Sequence, residues 1–213
     1  METLGLSDAG VEACAHRAAD ILRAGGIILY PTDTLYGLGC DALSDEALSK
    51  VQKIKGRDEK KPVHAMIADL GMAEKYAVLN ENAYTLARAF WPGSLTLILK
   101  KMPDIKTGIS RDLETFGVRV SDHPFCLALA EAFGKPYTGT SANRSGEESK
   151  RSIPEILAQL GEAVRYIDLV IDAGELPSSL PSTVVDAHLP RPVILREGAI
   201  SAGEIWEVLR TEP

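Results

Sequence analysis

The apolar run Gly26-Ile27-Ile28-Leu29-Tyr30, and the turn into which it empties, constrain this chain more than any other stretch. Glycines stop the preceding segment at Gly25 and Gly26, and the run is β-branched and aromatic. It ends on a hydroxyl-rich segment, Pro31-Thr32-Asp33-Thr34-Leu35-Tyr36-Gly37-Leu38. A short apolar run bounded in this way reads as a buried strand. The Thr-rich turn therefore sits at a strand end, where open α/β sheets hold their ligands.

The rest of the chain alternates in the same manner. Helical periodicity covers Asp8–Ala24, and Ser44 reads as the N-cap of a helix running toward Ile54, with Asp45 and Glu46 in its first turn. Helices are also expected over Leu70–Val78, Glu81–Phe90 and Phe125–Phe133, and from Ser152 to Leu160. Ser201-Ala202-Gly203-Glu204 fits a capping box for a last one. Strands are expected at Ile27–Tyr30, Val63–Ala68, Leu95–Leu99, Gly117–Val120, Tyr137–Thr140, Ile167–Ile171, Thr183–Asp186 and Val193–Leu195. The pattern is α/β without internal repeats, and with no linker in evidence residues 1–213 read as a single domain. The polar stretches Lys101–Glu114 and Thr140–Arg151 are the expected lids.

Charge and cysteine content exclude several classes. A net charge of −7 argues against a protein that coats nucleic acid. No apolar run reaches the roughly 18 residues of a membrane span, and the N-terminus carries no basic leader. Cys14, Cys40 and Cys126 are odd in number and far apart, which suits reduced thiols in the cytoplasm. They and the four histidines lack metal-ligand spacing, so no resident metal is expected. Basic residues concentrate locally: Lys50, Lys53, Lys55, Arg57, Lys60 and Lys61 lie within twelve residues. Such a segment is either a solvated helix end or a site for a small polyanion.

Familiar nucleotide and hydrolase motifs are missing. There is no Walker loop, no G-x-S-x-G and no H-E-x-x-H. Gly37-Leu38-Gly39-Cys40-Asp41-Ala42 matches G-x-G-x-x-A, but six residues separate it from the strand and no acidic strand end follows, which argues against a dinucleotide fold. The Thr-rich turn can hold a polar ligand or simply satisfy its own backbone. Lys55, Arg57 and Lys61 pair a bidentate fork with mobile point charges, the usual means of clamping a triphosphate. Arg119 is out of place in the apolar strand Phe116–Val120; it is either paired structurally or aimed at an anion, and the second is preferred. Ser141 and Asn143, Ser182 and Thr183, and Arg196 all stand at strand exits, each open to a turn-capping or a binding role.

Taken in order, these segments resemble the YrdC family. The resemblance runs from about Ala18 to Gly198: Gly26 to Leu38, Lys55-x-Arg57 with Lys61-Pro62, Trp91-Pro92-Gly93-Ser94-Leu95-Thr96, Val118-Arg119-Val120, Ser141-Ala142-Asn143, Ser182-Thr183-Val184-Val185-Asp186 and Leu195-Arg196-Glu197-Gly198. The Lys-x-Arg and Ser-x-Asn pairs are similar to the active synthase branch, in its short single-domain form. Two positions depart from the pattern. Asp58 follows Arg57 where a proline is frequent, and Met66 stands where some relatives place a histidine near the amino acid.

The resemblance implies an α/β fold, a twisted, mixed and mostly parallel open sheet flanked by helices around a concave, positively charged cleft. It implies an L-threonylcarbamoyladenylate synthase, which joins L-threonine, bicarbonate or CO2, and ATP into threonylcarbamoyl-AMP and pyrophosphate for N6-threonylcarbamoylation of tRNA adenosine 37. By the same resemblance Thr34, Arg119, Gly139, Thr140 and Ser182 hold threonine. Arg57, Lys61, Thr115, Ser141, Asn143, Ser149 and Arg196 hold ATP, and Lys55, Arg57 and Lys61 serve catalysis. Mg2+ arrives with the ATP. The expected partners are the proteins that transfer the threonylcarbamoyl group, with weak tRNA or RNA binding as an accessory. The rival class is an RNA-binding or ribosome-associated module using the same basic concavity.

Overall fold

The computed structural model describes residues 1–56 and 63–210. The chain opens with β1 (Glu2–Gly5), the short α1 (Leu6–Ala9) and α2 (Val11–Arg23). Gly10, at φ 80°, separates the two helices inside the stretch expected to form one. Next come β2 (Ile28–Tyr30), β3 (Gly37–Gly39) and α3 (Asp45–Lys55). Ser44 Oγ accepts from the Ala47 amide at 3.2 Å, capping α3 as expected, and Gly56 ends it in the left-handed region.

The middle of the chain supplies β4 (His64–Met66), α4 (Leu70–Tyr76), β5 (Ala77–Val78), α5 (Glu81–Phe90), β6 (Leu95–Lys101), β7 (Thr115–Arg119), α6 (Pro124–Phe133) and β8 (Tyr137–Ser141). The last part adds α7 (Ile153–Leu160), β9 (Leu169–Asp172), β10 (Thr183–Asp186), β11 (Val193–Arg196) and α8 (Ala202–Arg210). The α8 box is reciprocal: the Ser201 amide donates to the Glu204 carboxylate at 2.9 Å and the Glu204 amide to Ser201 Oγ at 3.3 Å.

The strands form one open sheet in the order β1-β9-β2-β3-β8-β4-β7-β6-β10-β11, with β5 pairing β6 off that path. It is mixed, as expected, but not mostly parallel. Among the described residues six ladders are antiparallel (β2–β3, β3–β8, β4–β8, β5–β6, β6–β7, β10–β11) and four parallel. The antiparallel ladders arise because β3 and β8 wedge between β2 and β4. β3, Gly-Leu-Gly in sequence, is a strand beyond those expected.

Helices cover the sheet. α2 and α6 lie together over one part, where Ala15, Ala18 and Ala19 let Phe125, Leu129 and Phe133 approach closely. Val51 and Ile54 of α3 pack with Ile156 and Leu160 of α7 in a second cluster. α4, α5 and α8 cover β6, β7 and β10 in a third. No helix among the described residues is long and apolar enough to cross a membrane.

Candidate active site

The strand ends around β8, β4 and β7 open into a cavity of about 670 Å3, within the size range of ligand pockets. Lining it are Thr34, Lys55, Arg119, Gly139, Thr140, Ser141, Asn143, Ser149, Ser182 and Arg196. The structure therefore gathers nearly all of the expected site residues in one place. Thr115 is elsewhere: it lines an adjoining cavity of about 440 Å3 with Thr96, Ile98, Ile109 and Leu113. Arg57 and Lys61 lie outside the described residues.

The Thr-rich turn does both things its sequence allows. Thr32 Oγ1 accepts from the amides of Thr34 and Leu35, each at 3.1 Å, and donates to the Leu35 carbonyl at 2.7 Å, so Thr32 is spent on its own turn. Both threonines line the cavity, and the Thr34 hydroxyl accepts from Arg119 Nη1 at 3.1 Å. Asp33 receives Arg119 Nη2 on both carboxylate oxygens at 2.7 Å, Ser94 Oγ at 3.1 Å and a short bond from Ser121 Oγ. Burial alone would raise the Asp33 pKa, but the Arg119 charge and these hydrogen bonds outweigh it and hold the carboxyl below its ordinary value. Arg119, only 3% exposed, is thus structurally paired and still lines the cavity. The two readings of this residue are not exclusive.

Arg196 reaches in from β11, donating to the Ser182 carbonyl at 2.8 and 3.1 Å and to Ser182 Oγ at 3.2 Å. Ser182 Oγ also meets Thr96 Oγ1 at 2.9 Å. Burial and the neighbouring Arg119 charge both lower the pKa of Arg196. Two guanidiniums that repel each other across a cavity form a site short of negative charge. Among the described lining residues the one carboxylate is Glu148.

Lys55 stands in the cleft wall, yet its ammonium turns away from open space. It donates to the Ser141 carbonyl, to the Asn143 carbonyl at 3.0 Å and to Asn143 Oδ1 at 3.2 Å. Asn143 in turn accepts from Ser141 Oγ and donates to the carbonyls of Arg144 and Glu147 at 2.9 and 2.6 Å. These partners give Lys55 and Asn143 the task of shaping the loop. The stretch 140–151, the expected lid, is tied down at several points. Arg144 caps the end of α7 through the Gln159 and Leu160 carbonyls, Gln159 holds the Glu148 carbonyl, and Arg151 pairs with Glu175. The reason is chemical: polar side chains that cannot form a core can satisfy helix-end carbonyls.

Sequence reasoning passed over His64. It sits on β4 opposite Gly139, and both cavities touch it. A Cβ at Gly139 would lie 2.6 Å from His64 Nε2 and 2.8 Å from Met66 Sδ, so any larger residue there would have to displace both side chains. Burial, with Arg119 and Arg196 nearby, pushes the His64 pKa down to about 3. The available signal was a lone histidine in an otherwise apolar strand. The sign of the linkage follows. The unfolded chain binds a proton near the ordinary value of about 6.5 and the folded chain does not, so this contribution is complete above that pH and is lost as pH falls toward 3. Because the ring is partly exposed to the cleft, urea melts of the wild type should lose roughly 0.5–1 kcal/mol per pH unit more than His64→Gln between pH 6 and 4. Parallel pH curves for the two proteins would remove the effect.

Residues 20–198 match the model of the Sua5/YciO/YrdC proteins, described as "Telomere recombination". The chain belongs to the Sua5/YciO/YrdC family. It is 36% identical over 195 residues to the threonylcarbamoyl-AMP synthase of Bacillus subtilis, an alignment covering 91% of this chain and 56% of that protein. It is 39% identical over 176 residues to a putative threonylcarbamoyl-AMP synthase of Methanocaldococcus jannaschii, with 83% and 81% covered. The crystal structure of P. abyssi Sua5 complexed with L-threonine superposes with a TM-score of 0.88 at 33% identity, over 98% of this chain and 60% of that one. The chain thus spans a little over half the length of the Bacillus relative. Its Sua5/YciO/YrdC match takes in every described cleft residue named above.

Proposed function

We propose that this chain is an L-threonylcarbamoyladenylate synthase. The observation that carries the reading is the pair of mutually repelling guanidiniums, Arg119 and Arg196, set beside the hydroxyls of Thr34 and Ser182 in one cavity. That arrangement suits an amino acid bearing a hydroxyl together with a phosphorylated anion. The relatives named threonylcarbamoyl-AMP synthase, and the Sua5 complex with L-threonine, support the same assignment.

In this reading threonine occupies the larger cavity, with its carboxylate toward Arg119 and its side-chain hydroxyl within reach of Thr34 and Ser182. The nucleoside of ATP enters the smaller cavity, whose lining of Ile98, Ile109 and Leu113 suits a flat base and whose Thr115 offers a hydroxyl. Arg196 borders both cavities and meets the phosphates, and Ser141 and Ser149 face them from the loop; the family resemblance assigns Arg57 and Lys61 to the same phosphates. Threonine's amine and bicarbonate give an N-carboxylate with loss of water, and its oxygen then attacks the α-phosphorus and expels pyrophosphate. The N-carboxylate is a poor nucleophile, so holding it in line supplies most of the gain, up to about 7–11 kcal/mol for ideal alignment. Asp33 is spent on Arg119, Asp186 of the smaller cavity is engaged by His188, and Glu148 is the one described carboxylate of the larger; in this reading Mg2+ comes bound to the ATP phosphates. The adenylate then passes, in the cytoplasm, to proteins that load the threonylcarbamoyl group onto tRNA.

The test is incubation with ATP, bicarbonate and amino acids, reading pyrophosphate and the adenylate. Threonine should outpace 2-aminobutyrate and valine by roughly 10²-fold or more, because a site built around a substrate hydroxyl leaves its own polar groups unpaired with an analogue lacking one. Equal rates with valine would sink the assignment. Salt-dependent RNA binding without threonine-dependent pyrophosphate release would favour the RNA-binding module instead.

A further inference from the structure

The two cavities meet at one side chain. Gly139 of β8 borders the larger and Gly117 of β7 the smaller, and β4 runs between those strands. In register, His64 lies opposite Gly139, and the ladder pairing Ala65 with Val118 brings His64 level with Gly117. A Cβ at Gly139 would stand 2.6 Å from His64 Nε2, and one at Gly117 would stand 3.3 Å from His64 Cβ. Two glycines thus bare the sheet on either side of this imidazole and leave it as a partition. Arg196 borders both cavities at the same place.

Among the described residues the ring has no hydrogen-bond partner. Flanked by Arg119 and Arg196 it stays neutral at pH 7, which leaves one N–H to donate and one lone pair to accept. A third cation here would add to the repulsion; a neutral donor adds polarity without it. A ligand that fills both cavities must cross this ring. With the amino acid on the hydroxyl-lined side and the nucleoside on the apolar side, the group that crosses is the α-phosphoryl.

We propose that His64 is a catalytic contact at that crossing, its N–H donating to a non-bridging oxygen of the α-phosphoryl group as the bond to threonine's carbamate is made. The inference rests on the adenylate-forming reading above. The carbamate oxygen bonds to the α-phosphorus, the bond to the pyrophosphate oxygen breaks, and pyrophosphate leaves with the electron pair. His64 neither gains nor loses a proton; it supports the charge that builds on the phosphoryl oxygens, a role in which removal of a single donor is felt mainly in kcat.

Two measurements test it. In the first, His64→Ala should lower kcat for threonine-dependent adenylate formation roughly 30- to 100-fold, with the Kd for ATP and for threonine within about threefold of wild type. His64→Gln, whose amide carries N–H close to the Nε2 position, should recover to within roughly fivefold of wild type. Wild-type turnover in His64→Ala, or a loss appearing wholly in Kd, would overturn the proposal. In the second, the His64 ring nitrogens of the 15N-labelled wild type are followed by NMR. AMP and ATP should shift them, and adenosine should not. This arm judges the contact even if the wild type makes no adenylate, an outcome that would remove the synthase reading alone. Ring resonances indifferent to AMP and ATP would remove the His64 contact whatever the turnover.

Discussion

Lys55→Met should cost the protein at least 10²-fold in adenylate synthesis while leaving the bulk of the fold in place. Lys55 is 3% exposed, and its ammonium meets three oxygens of the Ser141–Asn143 segment. Methionine fills much of the same volume but leaves those buried acceptors short of donors, at about 1–3 kcal/mol for each that water cannot reach. The segment would then relax, carrying Ser141 away from its place in the cleft wall. Loss of a single positioning contact of this kind is amplified in rate, since about 1 Å of misplacement costs on the order of 10²-fold. Lys55→Arg should not rescue, because a planar fork cannot converge on three oxygens as an ammonium does. Hydrogen exchange across 141–151 should quicken in both variants. Normal turnover together with unchanged exchange in Lys55→Met would show that the loop holds itself.

Asp33→Asn should be the most destabilising single change in the cleft. It removes the charge that compensates Arg119, which is 3% exposed and already disfavoured by Arg196. Breaking a buried pair from one side costs about 3–5 kcal/mol, because the partner charge remains in place. The double variant Asp33→Leu with Arg119→Met should recover much of that stability and none of the activity. The pH dependence follows from the lowered Asp33 pKa: the pair's contribution is whole above the ordinary carboxylate value and is lost as pH falls through the lower folded one. Chemical denaturation of the four proteins of the cycle measures the coupling. Additive losses in the double variant would mean the pair is not an energetic unit.

How much of this was legible beforehand depended on whether a residue's partner lay nearby in sequence. The Ser44 cap, the Ser201–Glu204 box and the buried run before the Thr-rich turn are local devices, and each was read correctly. Arg119 betrayed itself by its apolar strand, but its partner Asp33 lies 86 residues away and only the fold joins them. β1, β3 and β5 were missed for the same reason. Gly37–Gly39 has no strand propensity of its own and is a strand because β2 and β8 flank it. Ala77–Val78 continued a helical pattern until pairing with β6 turned it into a strand. The anchors of the loop 140–151 were not legible because they are carbonyls at the end of α7, which side-chain chemistry does not display.

The strand order sets a timetable as well as a shape. β2 pairs with β9 across about 140 residues of chain, β3 joins β8 across about 100, and β1 waits for β9. Loop closure over such distances is paid before the contacts reward it, so folding is slow for the length. At roughly 5–20 residues per second, a nascent chain spends about one to four seconds with Arg119 made, Asp33 made, and no β8 to join β3 to β4 between them. Both ends of the sheet order are late arrivals in their own way: β1 emerges first and pairs near the end, and β11 emerges last beside β10. The exposed β2 run, apolar and short of partners for most of that interval, is the segment a chaperone would find first.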